Sequence, residues 1–315
     1  MVAANFTLVQ LRYFAEAARA GSMTVAARKL HISQPALSTA ITQLERELGV
    51  TLFERVPSVG IRLTESGREI YLDAAALLTQ AESLSERAGG LEGTLSGTLR
   101  IGMYLPMAPF RAPTLVQAVA RRHPELVLEL IEANHDELVR LLDDREIDVA
   151  LAYSMAPFEA YRSEVLETIP PHAIVPPQHP LAGSSEPIEL QRLARDPLIL
   201  LDLPHTASYY LNLFRSVGVE PDVRFRVHGY ETVRGLVGQG FGISVLNQRI
   251  AHPRTYSGAR TVVVELADEL TGLSVSLVRR TDEESARVEA FADVCRRLYG
   301  VPSGPGFPQN AEPAL

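Results

Sequence analysis

Between positions 22 and 48, apolar residues recur at helical spacing on either side of a short polar interruption. Ser22 is placed to cap a short helix closing at Leu30, with Val25, Ala26 and Leu30 facing inward, and His31-Ile32-Ser33 makes the turn. Ser33 then caps a longer helix with Pro35 in its first turn, where a missing N–H costs nothing. Along that helix Leu37, Ile41, Leu44 and Leu48 form one buried stripe. The opposite side carries Gln34, Ser38, Thr39 and Thr42, short uncharged hydrogen-bonding groups where a solvated helix ordinarily carries long charges. Groups of that size reach bases and phosphates in a major groove. By periodicity alone, an ordinary helical hairpin shows the same stripe.

Residues 52–55 and 61–63 are expected to pair as a hairpin beside these helices, and Thr64 to cap a long helix. On that helix Ile70, Ala74, Leu77, Ala81, Leu84 and Ala88 alternate steps of four and three, the seam of a two-stranded coiled coil. Tyr71 and Leu78 widen the stripe, as packing on its own domain would require. Gly89-Gly90, Gly93 and Gly97 then break the helix into a hinge.

From Leu99 the pattern alternates. Strands are expected at 99–103, 127–131 and 148–152, with helices near 115–122 and 137–143, the second starting from an Asn134 cap and Glu137 capping box. A second set follows: strands at 172–175, 198–201, 223–227 and 243–246, with helices near 209–217 and 231–239. Strands at 261–266 and 273–278 and a helix over 284–298 complete it. Such alternation predicts parallel sheets covered by helices, hence an α/β class. The proline-bearing end, 301–315, reads as a disordered tail.

Charge separates the two ends. The chain has 315 residues and a net charge of −8, yet residues 1–63 hold six Arg and one Lys against four Glu, a balance of +3. A weakly basic head on an acidic body suits a protein that meets phosphates at one end. No apolar run approaches the roughly 18–20 residues of a membrane helix, and the amino terminus lacks a secretory pattern, so a cytoplasmic protein is expected. Cys295 is the only cysteine and reads as a small apolar residue on the last helix. Signals for catalysis are absent: the histidines show no metal spacing, no serine sits in a nucleophile elbow, and GQGFG at 238–242 lies after a helix, as a cap and turn. No enzyme activity, metal or cofactor is expected.

The head resembles the amino-terminal part of the LysR-type bacterial transcriptional regulators. The matching residues run from Leu11-Arg12-Tyr13-Phe14 through Gly21-Ser22, Ala26-Ala27, Leu30, Ser33-Gln34-Pro35-Ala36-Leu37-Ser38, Ile41, Leu44-Glu45, Leu48-Gly49, Leu52-Phe53 and Arg55 to Leu63-Thr64 and Gly67. The family's wing often has a second basic residue, and 56–60 has none; Arg62 is the substitute nearby. The rest is similar to the family's effector region, which has the two-lobed fold of periplasmic solute-binding proteins. That likeness rests on Arg100-Ile101-Gly102, Asp148-Val149-Ala150-Leu151, His179-Pro180-Leu181-Ala182, Glu231-Thr232-Val233, Leu236-Val237, Gly240 and Gly242. A departure is Asn247-Gln248, where the family commonly has proline after the position of Leu246.

The resemblance implies a winged helix-turn-helix at 1–63, a linker helix and hinge at 64–97, and a two-lobed effector domain at 98–300, its second lobe inserted over about 170–270. It implies a regulator of promoter DNA that works as a homodimer or homotetramer, contacts RNA polymerase and responds to a small effector between the lobes. DNA would be met by Ser33, Gln34, Pro35, Ser38, Thr39, Thr42, Arg55 and Arg62. Ligands in such folds sit beyond strand carboxyl ends, against helix amino termini. That places Tyr104, Leu105, Met107, Asn134, Tyr153, Thr206, Ser208, Tyr230 and Glu231 at the cleft, and exposed N–H groups there favour a carboxylate effector. Thr206 and Ser208 serve equally well as helix caps. A solute-binding or transport component with the same two lobes is the alternative reading, and an enzyme fused to a DNA-binding head is a third.

Overall fold

The structure, a computed structural model, describes residues 5–56, 60–89, 95–155, 157–250, 252–282 and 285–300. The expected wing tip (57–59), most of the glycine hinge (90–94) and the tail (301–315) lie outside the described residues. Among those described, no helix is long and apolar enough to cross a membrane. The chain divides into two compact units, Met1–Ser96 with the short segments Asp143–Glu146 and Glu284–Ala286, and the remainder from Gly97.

The first unit begins with α1 (Leu8–Ala20), α2 (Met23–Lys29) and α3 (Gln34–Leu48), then the hairpin β1 (Phe53–Val56) and β2 (Gly60–Leu63), then α4 (Glu65–Gly89). Ser22 Oγ accepts from Val25 N and Ser33 Oγ from Ala36 N, so both expected caps are in place. Leu37, Ile41 and Leu44 are buried, at about 1.5–3 kcal/mol of apolar burial each. Val25 differs from expectation: it is exposed, and Ala26 with Ala27 fills the inward side of α2. The seven-residue helix turns Ala26 and Ala27 against α1 and α3, with Met23 and Leu30 packed at its two ends, and Val25 falls outside that face.

Close backbone contacts pin the hairpin. Ile61 N donates to the carbonyl of Gly21, 3.1 Å, and a Cβ on Gly60 would stand 2.5 Å from that same oxygen. Glu45 accepts from the amides of Leu52 (2.8 Å) and Phe53 (3.4 Å), which ties the carboxyl-terminal half of α3 to the start of β1. Thr64 caps α4 through Gly67 N, 2.9 Å.

The coiled-coil stripe on α4 divides. Ala74 is buried, and Ile70, Tyr71 and Leu78 pack with Phe14 and Leu52 in the unit's own core. Leu77 and Leu84 are exposed, 43% and 64%.

In the second unit β3 (Gly97–Tyr104), α5 (Ala108–Arg122), β4 (Leu126–Ala133), α6 (His135–Asp143), β5 (Val149–Tyr153) and β6 (Arg162–Ile169) build lobe one. The chain crosses at Pro170 into lobe two: β7 (His172–Val175), β8 (Leu198–Leu201), α7 (Thr206–Ser216), β9 (Val223–Val227), α8 (Tyr230–Gly238), β10 (Ser244–Leu246) and β11 (Val262–Val264). It returns after Thr271 as β12 (Leu273–Arg279), ending in α9 (Ala286–Tyr299). The sheet of lobe one runs β4-β3-β5-β12-β6, and lobe two has β10-β7-β11 and β8-β9.

Parallel pairing holds for β3 with β4 and β5 and for β8 with β9, but β12 runs antiparallel to β5 and β6, and β7 antiparallel to β10 and β11. The sheets are therefore mixed, contrary to the all-parallel expectation, because the crossing strands return without an intervening helix on the same side. Two helices start earlier than expected. α5 includes Pro109 and Pro113 near its amino end, and α7 begins at Thr206.

A candidate DNA-reading helix and effector seam

On α3, Gln34, Pro35, Thr39 and Thr42 are exposed, and Ser38 is half-buried beside Leu37. Ser33 is exposed but its hydroxyl is committed to the cap. Gln34, Ser38 and Thr42 follow at four-residue steps, so they share one side, about a quarter turn round the helix from the buried Leu37, Ile41 and Leu44. In the hairpin Arg62 stands opposite Glu54 and Arg55 opposite Ile61. Adjacent strand positions face opposite ways, so Arg62 shares its side with a carboxylate and Arg55 does not. Arg55 is the stronger candidate for a phosphate contact.

The seam between the lobes is built from strand ends, as chain topology requires, but its side chains contact one another. Tyr104, ending β3, is fully buried and its hydroxyl lies 2.7 Å from Thr206 Oγ1 at the start of α7. Its ring lies tilted against His135 (4.2 Å between centroids, 39° between planes) and meets Tyr153 at 5.2 Å. Gln248 Nε2 donates to the Tyr153 hydroxyl, 3.1 Å, and Asn247 Nδ2 donates to the Ile169 carbonyl and the Tyr209 hydroxyl, both 3.0 Å. Asn247 thus holds the end of β6, where the chain crosses, and Gln248 the end of β5. Burial raises the Tyr104 phenol well above its ordinary value and pushes Tyr153 up to about 12.

His135 was not among the expected site residues, and no spacing signal marks it. It is fully buried, and neither ring nitrogen meets a partner in good hydrogen-bond geometry, although the Tyr153 carbonyl is near enough to favour a proton slightly. Burial, then repulsion from His205, lowers it to about 4, so it is neutral. His205 is also new. Its backbone sits at φ 64, ψ −39, and Thr206 N donates to the Pro204 carbonyl at 2.7 Å, a γ-turn. Its Nε2 lies 2.8 Å from Asp136 Oδ1 in lobe one.

The remaining expected cleft residues separate. Met107 is buried and Leu105 40% exposed. Asn134 and Glu137 complete a reciprocal capping box, each bond 3.0 Å, so the Asn134 side chain is occupied by its own helix. Neither Thr206 nor Ser208 caps α7: His205 holds the cap position without a side-chain bond, Thr206 faces Tyr104, and Ser208 Oγ donates to the His205 carbonyl at 3.2 Å. The γ-turn lifts the backbone out of the β conformation that a capping hydroxyl needs. Ser208 instead borders a cavity of about 500 Å3 with Met155, His205, Tyr209 and Thr271, within the size range of small-ligand sites. Tyr230 meets Phe110 of lobe one at 5.1 Å and Glu231 pairs with Arg234 of its own helix at 2.5 Å. No group of three His, Cys, Asp or Glu among the described residues is placed to hold a metal ion.

Comparison with known proteins accounts for both units. The family model for the bacterial regulatory helix-turn-helix protein of the LysR family matches residues 8–68, and that for the LysR substrate binding domain matches 92–300. The RuBisCO operon transcriptional regulator of Allochromatium vinosum is 34% identical over 244 residues, 77% of this chain and 80% of that regulator. The HTH-type transcriptional regulator YvbU of Bacillus subtilis is 28% identical over 94% of this chain and 99% of its own. Among solved structures, HinK, a LysR family transcriptional regulator from Pseudomonas aeruginosa, superposes with a TM-score of 0.62 at 32% identity, covering 93% of this chain and 98% of that one. A full-length OxyR variant from the same organism gives 0.73 at 26%, with 93% and 98% covered. A capped reading helix beside a pinned hairpin, joined to a two-lobed α/β unit, is thus the architecture of a DNA-binding, effector-binding regulator, and the chain belongs to the LysR family of transcriptional regulators.

Proposed function

We propose that residues 1–63 read promoter DNA, 64–97 pair two copies and transmit the signal, and 98–300 sense a small effector between lobes that exchange near 170 and 270. In this reading α3 lies in the major groove, with Gln34, Ser38 and Thr42 toward the bases, Ser33, Pro35 and Thr39 beside the backbone, and Arg55 and, more weakly, Arg62 on phosphate. Leu77 and Leu84, left uncovered on α4, are the contact for a second copy, giving a homodimer or a homotetramer. The protein acts in the cytoplasm, where its promoter and RNA polymerase are.

The observation that carries the effector reading is the contact of Tyr104 and Thr206 across the lobes, 2.7 Å between hydroxyls. An effector bearing a hydrogen-bonding group, a carboxylate for example, exchanges that contact for its own and biases the lobes, entering beside Ser208. Coupling is reciprocal: whatever effector binding does to DNA affinity, DNA does to effector affinity. The test is a thermal-shift screen of small carboxylates and amines, then calorimetry and footprinting with the hit. Thr206→Val should weaken effector binding while leaving effector-free DNA affinity unchanged. Normal effector binding by both Thr206→Val and Tyr104→Ala overturns the site.

A further inference from the structure

Lobe two contains a cavity of its own, about 310 Å3, on the β10-β7-β11 sheet. His172 and Ile174 lie two apart on β7 and so share a face; Leu246 pairs with His172 and Val263 with Ile174, and all four line the space. Tyr230 and Arg234 of α8 line it from another side, with Arg260 and Val262 completing the rim.

The polar groups here are arranged unequally. Arg234 is buried and fully committed, to Glu231 and to the carbonyls of His252 (3.0 Å) and Arg254 (3.2 Å). Glu231 is equally committed, to Arg234 and to the amide of Tyr256 at 2.6 Å. Besides His252, whose Nδ1 accepts from Arg254 N, and the Thr261 hydroxyl, the lining has Arg260, exposed at the rim and without a carboxylate partner among the described residues, and His172, 2% exposed with no partner for Nδ1. Burial, reinforced by Arg249, lowers His172 to about 3, so its ring is neutral, one nitrogen a donor and the other an acceptor. A buried polar atom without a partner is costly and is ordinarily satisfied by something. The rest of the lining is chiefly aliphatic.

We propose that this cavity is a second ligand site, separate from the interlobe seam, for a small apolar monocarboxylate. The carboxylate pairs with Arg260, and the hydrocarbon body lies against Ile174, Leu246 and Val263. The site also reaches the seam physically. The Tyr230 hydroxyl donates to the Gln248 carbonyl, and the Gln248 side chain donates to Tyr153, so an occupant touches the same two residues that help to hold the lobes together. It goes beyond the interlobe reading, which sequence position had assigned to Tyr230 and Glu231.

Hexanoate and its neutral counterpart hexanamide are suitable probes, titrated into the full-length protein by calorimetry. Hexanoate should bind, and hexanamide should bind at least about tenfold more weakly. Arg260→Gln and Val263→Trp, both at exposed positions, should each weaken hexanoate at least about tenfold. The titrations are repeated with Ser208→Trp, which blocks the interlobe cavity and should leave this binding intact. Absence of hexanoate binding, indifference to both lobe-two variants, or loss of binding in Ser208→Trp overturns the second site. Equal affinity for hexanamide overturns the carboxylate assignment. Failure of the interlobe reading shows elsewhere, in normal effector binding by Thr206→Val and Tyr104→Ala.

Discussion

The helix α3 and the interlobe seam, the two proposed recognition surfaces, are built in opposite ways. Along α3 the polar groups Gln34, Thr39 and Thr42 stand exposed on a rigid helix whose other side is sealed by Leu37, Ile41 and Leu44. In the seam Tyr104, Tyr153, Thr206, Asn247 and Gln248 are buried and spend their hydrogen bonds on one another. A duplex is large and stiff, so its reader gains from being preformed and open. A small ligand must instead displace contacts already made, and that exchange is what allows it to change the protein.

The largest expected effect cuts the first surface at its support. Leu37→Ala should destabilise the amino-terminal unit by about 2–5 kcal/mol and abolish DNA binding, while calorimetry still detects effector in the second unit. Loss of effector binding as well would mean that the two surfaces do not stand on separate cores.

Acid should act on the second unit. His135 and His172 are buried neutral, at about 4 and about 3. The unfolded chain takes up their protons below about pH 6.5. Stability is therefore unaffected above that pH and falls as pH drops toward the folded values, by about 1.4 kcal/mol per pH unit for each ring. Urea titration at pH 5 against pH 7 should show a loss of about 2 kcal/mol per histidine, removed for one of them by His135→Leu. A pH slope unchanged in that variant would exclude its ring as a source.

Base contacts rank next. Gln34→Ala with Ser38→Ala should lower specific affinity by about 1–3 kcal/mol per lost good contact. Arg55→Ala should weaken binding to every sequence and reduce the salt slope by about one. Equal losses on specific and random duplexes for the helix variants would remove α3 from the role of reader.

The smallest effect isolates the seam. Tyr104→Phe and Thr206→Val each strand one buried hydroxyl, costing about 1–3 kcal/mol, whereas the double variant should cost less than the sum. Additive costs in denaturant unfolding would show that the 2.7 Å contact carries no coupling between the lobes.

What could be read from the chain follows the range of the interactions involved. Ser22, Ser33 and Thr64 cap their helices through bonds three residues away, so local pattern suffices. β6 escaped notice for a physical reason: its pairing shifts register opposite Val275/Ser276, and its buried positions Leu166 and Ile169 fall three apart. A strand with that defect has no period of two to detect. The seam is less legible still. Tyr104 and Thr206 lie 102 positions apart, and Tyr153 and Gln248 lie 95. Topology indicated which strand ends meet, but not that Tyr104 and Thr206 would be used against each other, nor that His135 would be sealed beside them.

The γ-turn at His205 bears on how easily the lobes part. A histidine held at φ 64 costs about 1–3 kcal/mol, released once the backbone is free to relax. Its bond to Asp136 offsets little of this, since both partners are partly open to water, 32% and 60% exposed. If parting the lobes frees that turn, the residue that helps to fasten them also opposes closure, and a count of contacts across the seam overstates the work of opening. A ligand with only a modest preference for one arrangement would then be enough to tip the population.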